Sequence, residues 1–510
     1  MTEKTRTLVL AEDRFLHYFN PSWLEQFYLI PWQKGFGKKE CLENIAEDQP
    51  FSIIFIDNSL EYNRNHFICW LYRLMNGGML AVESNTRIAP QDIINILSGY
   101  VEYIENPNSN VWLFRKKAYN LDYDNFRNNL KNSIHQRDYR KALEHTNLLE
   151  IIDPFGITPI LIKTKIYHIL KLYNVSEQEW DSLIYRQHNP NIAYLKSLDI
   201  VAQGDYQRGF KLRMPLLSLK RRTDYFPNEE LEKKRWQGEN LAGKTFVIWT
   251  EFGLGDEIMF IQLAHYFKQT LKVKKLIVIT QTPIVSLLKT HPDIDQVIDR
   301  KNIKEELGDF DYWVFPHDIM AFADRPFEEI PKRHPYLFAD HQSVADKIKP
   351  NNKLKVAIVW RGDSNHENDH ARSIHNLTYI EQLLKNSQFD WYCVQKICNE
   401  EETALLEKYQ IPNVAENCQT MLETAAYLKN MDCLVTVDTS VAHLAGALGV
   451  KTLLMLPFIV DWRWKYHGTD NVWYPNMQSF RSLTLLPEWD NVIFDILQAL
   501  EVHRLALNKA

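Results

Sequence analysis

Three short stretches carry residue types that could handle a phosphorylated ligand. The first is Glu251-Phe252-Gly253-Leu254-Gly255-Asp256-Glu257, set between a strand-like run, TFVIWT, and a helix-like run, EIMFIQLAHYF. Gly253 and Gly255 permit a tight turn and leave space above the strand's carboxyl end, where open α/β sheets bind ligands. Asp256 falls at the helix start, and the competing reading is a helix cap worth about 1 kcal/mol. The second stretch is Asp438-Thr439-Ser440-Val441-Ala442-His443, continuing to Gly449 through Ala445, Gly446 and Ala447. A helix starting at Thr439 or Ser440 offers unpaired N–H groups and a partial positive charge, suited to a diphosphate. Asp438 could accept from a ribose or sugar hydroxyl, and His443 lies one turn in on the same side. The competing reading is two capping residues and a packed histidine. The third stretch is Trp360-Arg361-Gly362-Asp363 with Asp369-His370-Ala371-Arg372-Ser373. There Arg372 could neutralise a phosphate through a bidentate fork, or the segment could be an ordinary solvated loop.

The elements that position these stretches alternate. Strand-like runs TFVIWT, KKLIVIT and FDYWVFP precede residue 340, and KLKVAIVW, FDWYCVQ, DCLVTVDTS and KTLLMLP come after it. Helical patterns lie between them, so each half predicts a parallel, doubly wound sheet. The triplets Asp293-Ile294-Asp295 and Asp309-Phe310-Asp311 precede short strands and read as turn residues rather than metal ligands.

Taken together, the three stretches resemble the ADP-heptose:lipopolysaccharide heptosyltransferase family (glycosyltransferase family 9), in the variant fused behind tetratricopeptide repeats. The matching segments are RWQGENLAGKTFVIWTEFGLGDEIMF, VAIVWRGDSNHENDHARSIHNLTYIEQLL and LVTVDTSVAHLAGALGVKTLLMLP, with a tail DWRWKYHGTDNVWYPNMQSFR and EWDNVI. They cover roughly half of the chain. The resemblance implies a GT-B fold of two Rossmann-like domains, with a nucleotide-sugar donor held by the C-terminal half. It implies that Asp256 is the general base. It assigns donor binding to Asp438, Thr439, Ser440, His443 and Arg372, with Trp360, Arg361 and Gln395 in the same set. Glu251, Gly253 and Gly255 fall on the acceptor side of the cleft. The donor implied is ADP-heptose, although a UDP-sugar would use the same diphosphate cradle. Inverting transfer without a metal or other cofactor is part of the same expectation. Phe252 departs from the family variant, which usually has Gln there.

The rest of the chain reads differently. Residues 1–120 show short strands RTLVLA and FSIIFID, a helical pattern at 66–75, a Gly77-Gly78 turn and a strand MLAVES. This resembles part of a methyltransferase-like Rossmann domain, but the first strand runs into AEDRFLHYFNP, which has no glycine, and that removes the cofactor cradle. Residues 121–215 read as helices resembling degenerate tetratricopeptide repeats, with Ala142 and Gly209 at positions needing a small residue. A plain helical spacer is the competing reading. Residues 216–240 are charged and aperiodic and read as a linker, succeeded by an acceptor half at 241–345 and a donor half at 346–510.

Composition limits the partners. The chain has 510 residues, a net charge of -6, and 45% apolar and 24% charged residues. That balance is ordinary for folded domains, gives no global attraction to nucleic acid, and fits about three domains. No run is long and apolar enough to span a membrane, and no signal peptide is read. The six cysteines form no CxxC pair and read as reduced thiols of a cytoplasmic protein. The acceptor is expected to be a protein recognised by the N-terminal half. The alternatives are lipopolysaccharide or another glycan, and a non-catalytic scaffold or sensor.

Overall fold

The computed structural model describes residues 7–11, 27–31, 51–56, 67–68, 71–72, 74–83, 89–96, 101–104, 111–117, 123–153, 155–186, 189–217, 229–350, 352–366, 368–466, 468–483 and 488–507. The chain divides into two compact units, Met1–Lys196 and Ser197–Ala510.

The first unit opens with a six-stranded sheet. Strands β1 (Thr7–Ala11), β2 (Phe27–Pro31), β3 (Phe51–Ile56) and β4 (Leu74–Glu83) run parallel. Strand β6 (Val111–Lys116) pairs antiparallel with β4 and with β5 (Val101–Ile104), giving the order β2-β1-β3-β4-β6-β5. Apolar, β-branched runs such as FSIIFI suit strands covered on both faces. The expected Gly77-Gly78 turn is instead inside β4. Pairing shifts there: Phe51 faces Leu74 but Ile53 faces Met79. The extra residues of β4 form a bulge, a place where glycine is common in strands. The preceding helical pattern is correspondingly shorter, with Phe67, Ile68, Leu71 and Tyr72 helical and the strand beginning at Leu74. The turn after β1, where a methyl-donor cradle would sit, lies outside the described residues, as do Cys41 and Cys69.

Helices Tyr123–His135, Tyr139–Ile152, Ile157–Ile169 and Tyr173–Arg186 come next, each packing on its successor. Asp138 caps the second by accepting from the Lys141 N–H at 3.1 Å, and Ala142 is fully buried beneath it. Alternate helices start at Tyr123, Ile157 and Pro190, and the others at Tyr139, Tyr173 and Tyr206. That spacing is close to the ~34 residues of helix–turn–helix repeats. A buried ionic knot ties three of them: Glu150 meets both Lys163 and Arg186, and Lys163 lies 3.4 Å from Glu179.

The second unit holds two parallel sheets. In the first, β7 (Thr245–Trp249), β8 (Lys275–Thr280), β9 (Gln296–Asp299) and β10 (Tyr312–Val314) take the order β10-β7-β8-β9. In the second, β11 (Leu354–Val359), β12 (Phe389–Cys393), β13 (Cys433–Val437), β14 (Thr452–Leu456) and β15 (Met477–Arg481) take the order β12-β11-β13-β14-β15. Strands β7, β8, β11, β13 and β14 are largely buried, which is why they read as near-unbroken apolar runs. The winding reverses between β7 and β10 and again between β11 and β13. Crevices at such reversals, beyond the strands' carboxyl ends, are where open α/β sheets hold ligands.

Two expected boundaries shift. Residues 229–240 are no linker: the Trp236 N–H donates to the Trp313 carbonyl at 2.8 Å and the Trp313 N–H to the Lys234 carbonyl at 3.0 Å. Arg235 reaches Asp318 at 2.5 Å. Lys234, donating to the Phe310 carbonyl at 2.8 Å, and Arg235 are thus satisfied beside β10, and residues 218–228 lie outside the described residues. The helix Tyr206–Leu217 also belongs with the sheets rather than with a separate helical domain. Tyr206 and Phe210 share one apolar core with Phe260, Phe327, Trp462 and Trp473, and Gln207 donates to the Ala323 carbonyl at 2.9 Å. Among the described residues no helix is long and apolar enough to cross a membrane, and Cys393, Cys398, Cys418 and Cys433 are free thiols.

Gly209 lets this helix lie against Pro190–Gln203: an added Cβ would come within 2.5 Å of Val201 Cγ2 and 2.9 Å of the Val201 backbone nitrogen. Backbone cannot move aside cheaply, so Gly209→Ala should lose about 1–3 kcal/mol in denaturant unfolding despite alanine's better helix propensity. An unchanged midpoint would show that the two helices are not in contact.

Candidate active site

The acceptor-side turn grows from the end of β7. Thr250 fixes its start by donating from Oγ1 to the Ile279 carbonyl at 2.7 Å. The sharp residue is Phe252, with φ of 63° in the left-handed region that favours glycine. Gln281 holds it by donating to its carbonyl at 3.2 Å, and its ring stands edge-on to His317 at 4.8 Å. Gly253, expected to make the turn, has φ of -85°. A Cβ there would touch only Asp256, at 3.8 Å. Gly255 has the stricter role, because its Cβ would sit 2.7 Å from the His443 ring. The absent side chain lets the helices Leu254–Phe260 and Ser440–Leu448 meet.

Asp256 lies inside the first turn of Leu254–Phe260, whose cap is Gly253, so the capping alternative fails. Its carboxylate accepts from Arg463 Nη2 and lies 3.4 Å from His317 Nε2. His317 is turned by Glu251, whose Oε1 lies 3.0 Å from Nδ1. Burial alone would raise the Asp256 pKa, but the Arg463 charge and the His317 contact outweigh it and hold it well below the usual carboxylate range. His317 lies just past β10, so Asp256 and His317 flank the reversal between β7 and β10. Buried Glu257 anchors the same corner, accepting from Thr280, from Gln281 at 2.7 Å and from Arg300 at 3.2 Å. The triplet carboxylates sit elsewhere. Asp295 and Asp311 accept from the N–H groups of Leu276 and Thr245 at the amino ends of β8 and β7.

The facing crevice lies after β13 and β11. Thr439 is the cap residue and Ser440 the first helical residue, and the Thr439 side chain makes no capping hydrogen bond. The helix starts directly after Asp438, at the carboxyl end of β13. Burial, then the neighbouring Asp461 carboxylate, push the Asp438 pKa up to about 6 against the pull of Arg463, Trp464 and Arg372. Arg372 packs on Gly362, its Nη2 2.7 Å from where a Cβ would be; its buried Nε lies 4.0 Å from Asp369 and has no hydrogen-bond partner among the described residues. His443 is buried, its Nδ1 2.9 Å from the Tyr474 hydroxyl and its ring stacked on Trp464 at 5.0 Å. Burial, aided by Arg463, lowers its pKa to about 3, so the ring is neutral.

The structure brings Glu251, Gly255, Asp256, Asp438, Ser440, His443 and Arg372 to one cleft. Trp360, Arg361 and Gln395 have another occupation. The Trp360 indole donates to Glu402 at 2.9 Å, and Arg361 donates to both Glu402 oxygens at 2.9 Å. Gln395 donates to Glu402 at 3.2 Å and accepts from the Arg361 N–H at 3.1 Å. All three side chains are bonded to Glu402 inside the fold. His317, Arg463, Trp464 and Tyr474 were not singled out from the sequence. His317 is within reach of a sequence search, since it sits just past the strand on the far side of the reversal, where a partner for Asp256 would be sought. Arg463 sits in the DWRW segment, which has no spacing signal of its own.

The Asp438 pKa stands above its ordinary 3.8, so its proton favours the folded state. That contribution is complete below about pH 4 and is lost as pH rises through about 6. Asp438→Asn cannot ionise and should gain stability over the wild type between pH 4 and 7. Melting curves that run parallel across that range would contradict the assignment.

No family model matches the chain. It is 24% identical over 279 residues to Protein FlbA of Caulobacter vibrioides, covering 50% of this chain and 46% of that protein. The chain thus spans about half the length of that curated relative. Among solved structures it overlaps a glycosyl transferase family 9 protein from Veillonella parvula at 10% identity and TM-score 0.39, covering 53% of this chain and 99% of the other. It overlaps the ADP-heptose lps heptosyltransferase II of E. coli at 11% identity and TM-score 0.40, covering 52% and 100%. A third overlap, with TibC of enterotoxigenic E. coli, has 13% identity and TM-score 0.32, covering 43% and 60%. Overlaps this loose carry no argument, and the functional reading rests on the cleft itself.

Proposed function

We propose that residues 245–510 transfer a sugar from a nucleotide-diphosphate sugar to an acceptor, without a metal and with inversion. The observation that carries this reading is the meeting of two reversal crevices: a carboxylate, Asp256, stands at one, and an uncapped helix start with Arg372 at the other. A carboxylate beside the acceptor can take the proton of the attacking group. A helix start and a guanidinium can stabilise the departing diphosphate through charge fixed in place beforehand. The family resemblance of the sequence points to ADP-heptose as donor, with a UDP-hexose as the alternative. The spacing of the N-terminal helices supports a protein acceptor, since stacked repeats form surfaces that bind peptide.

A second reading has one observation in its favour. Asp256 is ion-paired to Arg463 and held at low pKa, which suits a site that binds a nucleotide sugar without turning it over. Product formation separates the two. Incubation with ADP-heptose or UDP-hexoses and candidate protein acceptors, with intact-mass measurement afterwards, should show one added sugar. Asp256→Asn should reduce the rate by about 10²–10⁴ while donor binding persists. Full turnover in that variant would remove Asp256 from the role of base. Binding of donor with no product from any acceptor would favour the second reading.

Arg372→Ala should weaken binding of ADP by about tenfold or more and leave adenosine nearly unaffected. Equal losses for both ligands in calorimetry would sink the phosphate assignment.

A further inference from the structure

Arg463 lies between the two crevices, on the short turn Trp462–Trp464 that comes after β14. Its Nη1 donates to Asp461 at 2.5 Å, its Nη2 to Asp256, and its plane lies 4.4 Å from the Trp462 ring centre. The Asp438 carboxylate also acts on it. One guanidinium thus serves three carboxylates, and a diphosphate arriving at Ser440 meets an acidic surface unless a cation turns to it. Arg372 and Arg463 are the guanidinium groups that act on Asp438 there.

We infer that Arg463 is a ligand of the donor's diphosphate, which Asp256 holds in reserve until the donor arrives. The inference rests on the transfer reading above. Trp462 provides a face across which the planar fork can slide while keeping a cation–π contact. As Arg463 turns to the diphosphate, Asp256 loses the larger of the two partners that suppress its proton affinity and keeps His317. In the transfer step the acceptor oxygen bonds to the anomeric carbon and its proton passes to the Asp256 carboxylate. The bond from that carbon to the diphosphate oxygen breaks, and its electron pair leaves with the diphosphate, beside Arg463. Donor binding and base strength are then two sides of one competition, and by linkage each reports on the other.

The competition can be read without activity. Inorganic pyrophosphate, ADP and UDP are titrated by calorimetry into the full chain carrying no change, Asp256→Asn, Arg463→Gln, or both. Asp256→Asn frees Arg463 and should tighten pyrophosphate and the bound nucleotide by about tenfold. Arg463→Gln should weaken them, and in that background Asp256→Asn should add less than about twofold. A gain of equal size in both backgrounds, or no gain in the first, overturns the inference. Should Arg463→Gln not fold, Arg463→Lys supplies the second background, with a smaller gain expected because an ammonium lacks the fork. Wild-type chain that binds none of the three ligands removes the transfer reading and this inference together. Binding without coupling removes this inference alone.

Discussion

The contact between Gly255 and the His443 ring governs the site. With no Cβ at residue 255, the helix after β7 settles against the helix after β13, and the carboxyl ends of two separate sheets come face to face. Asp256 is the next residue along, so the same approach that seats the imidazole also delivers the carboxylate to Arg463. The ring is neutral in that place because burial first, then Arg463 and Arg372, oppose a positive charge there. Stacking on Trp464 and the Tyr474 hydroxyl fix its plane. Sterics at one glycine thereby set the electrostatics of the whole cleft.

Within that cleft two aspartates are driven in opposite directions. Asp256 sits between a guanidinium and an imidazole and is held as a carboxylate. Asp438 has Asp461 as a neighbour and keeps its proton to higher pH. Divergent pKa values in neighbouring acids are a common mark of divided roles. Here the division comes from the neighbours of each buried acid: Arg463 and His317 for Asp256, the Asp461 carboxylate for Asp438.

Much of this was legible in the sequence, unevenly. Strands β7 to β14 stand out because parallel sheets buried on both faces demand unbroken apolar runs. The helix at Ser440 stands out because small residues recur along it. Side-chain partners far apart along the chain leave no such trace: Arg463 reaching Asp256, and Glu251 turning His317, depend on how the elements meet in space. The glycines of the first turn misled in part, since Phe252 takes the left-handed conformation and only Gly255 is sterically required. The resemblance set Trp360, Arg361 and Gln395 beside the donor; in the fold all three bond to one buried acid, Glu402. The charged stretch before β7 looked like a linker because its partners, Trp313 and Asp318, lie far along the chain.

The helix Tyr206–Leu217 has a consequence for how this chain can be divided. Phe210 lies 5.4 Å from Trp462 and 6.1 Å from Phe260, and the Arg213 guanidinium rests 5.3 Å from the same Trp462 ring. Trp462 in turn backs the arginine that faces Asp256. The last helix of the repeating series is therefore not a cassette that recombination or an expression boundary could exchange. A chain begun at β7 would leave Trp462 wet on one side and its neighbour unsupported. The smallest transplantable piece of this molecule carries that helix with it.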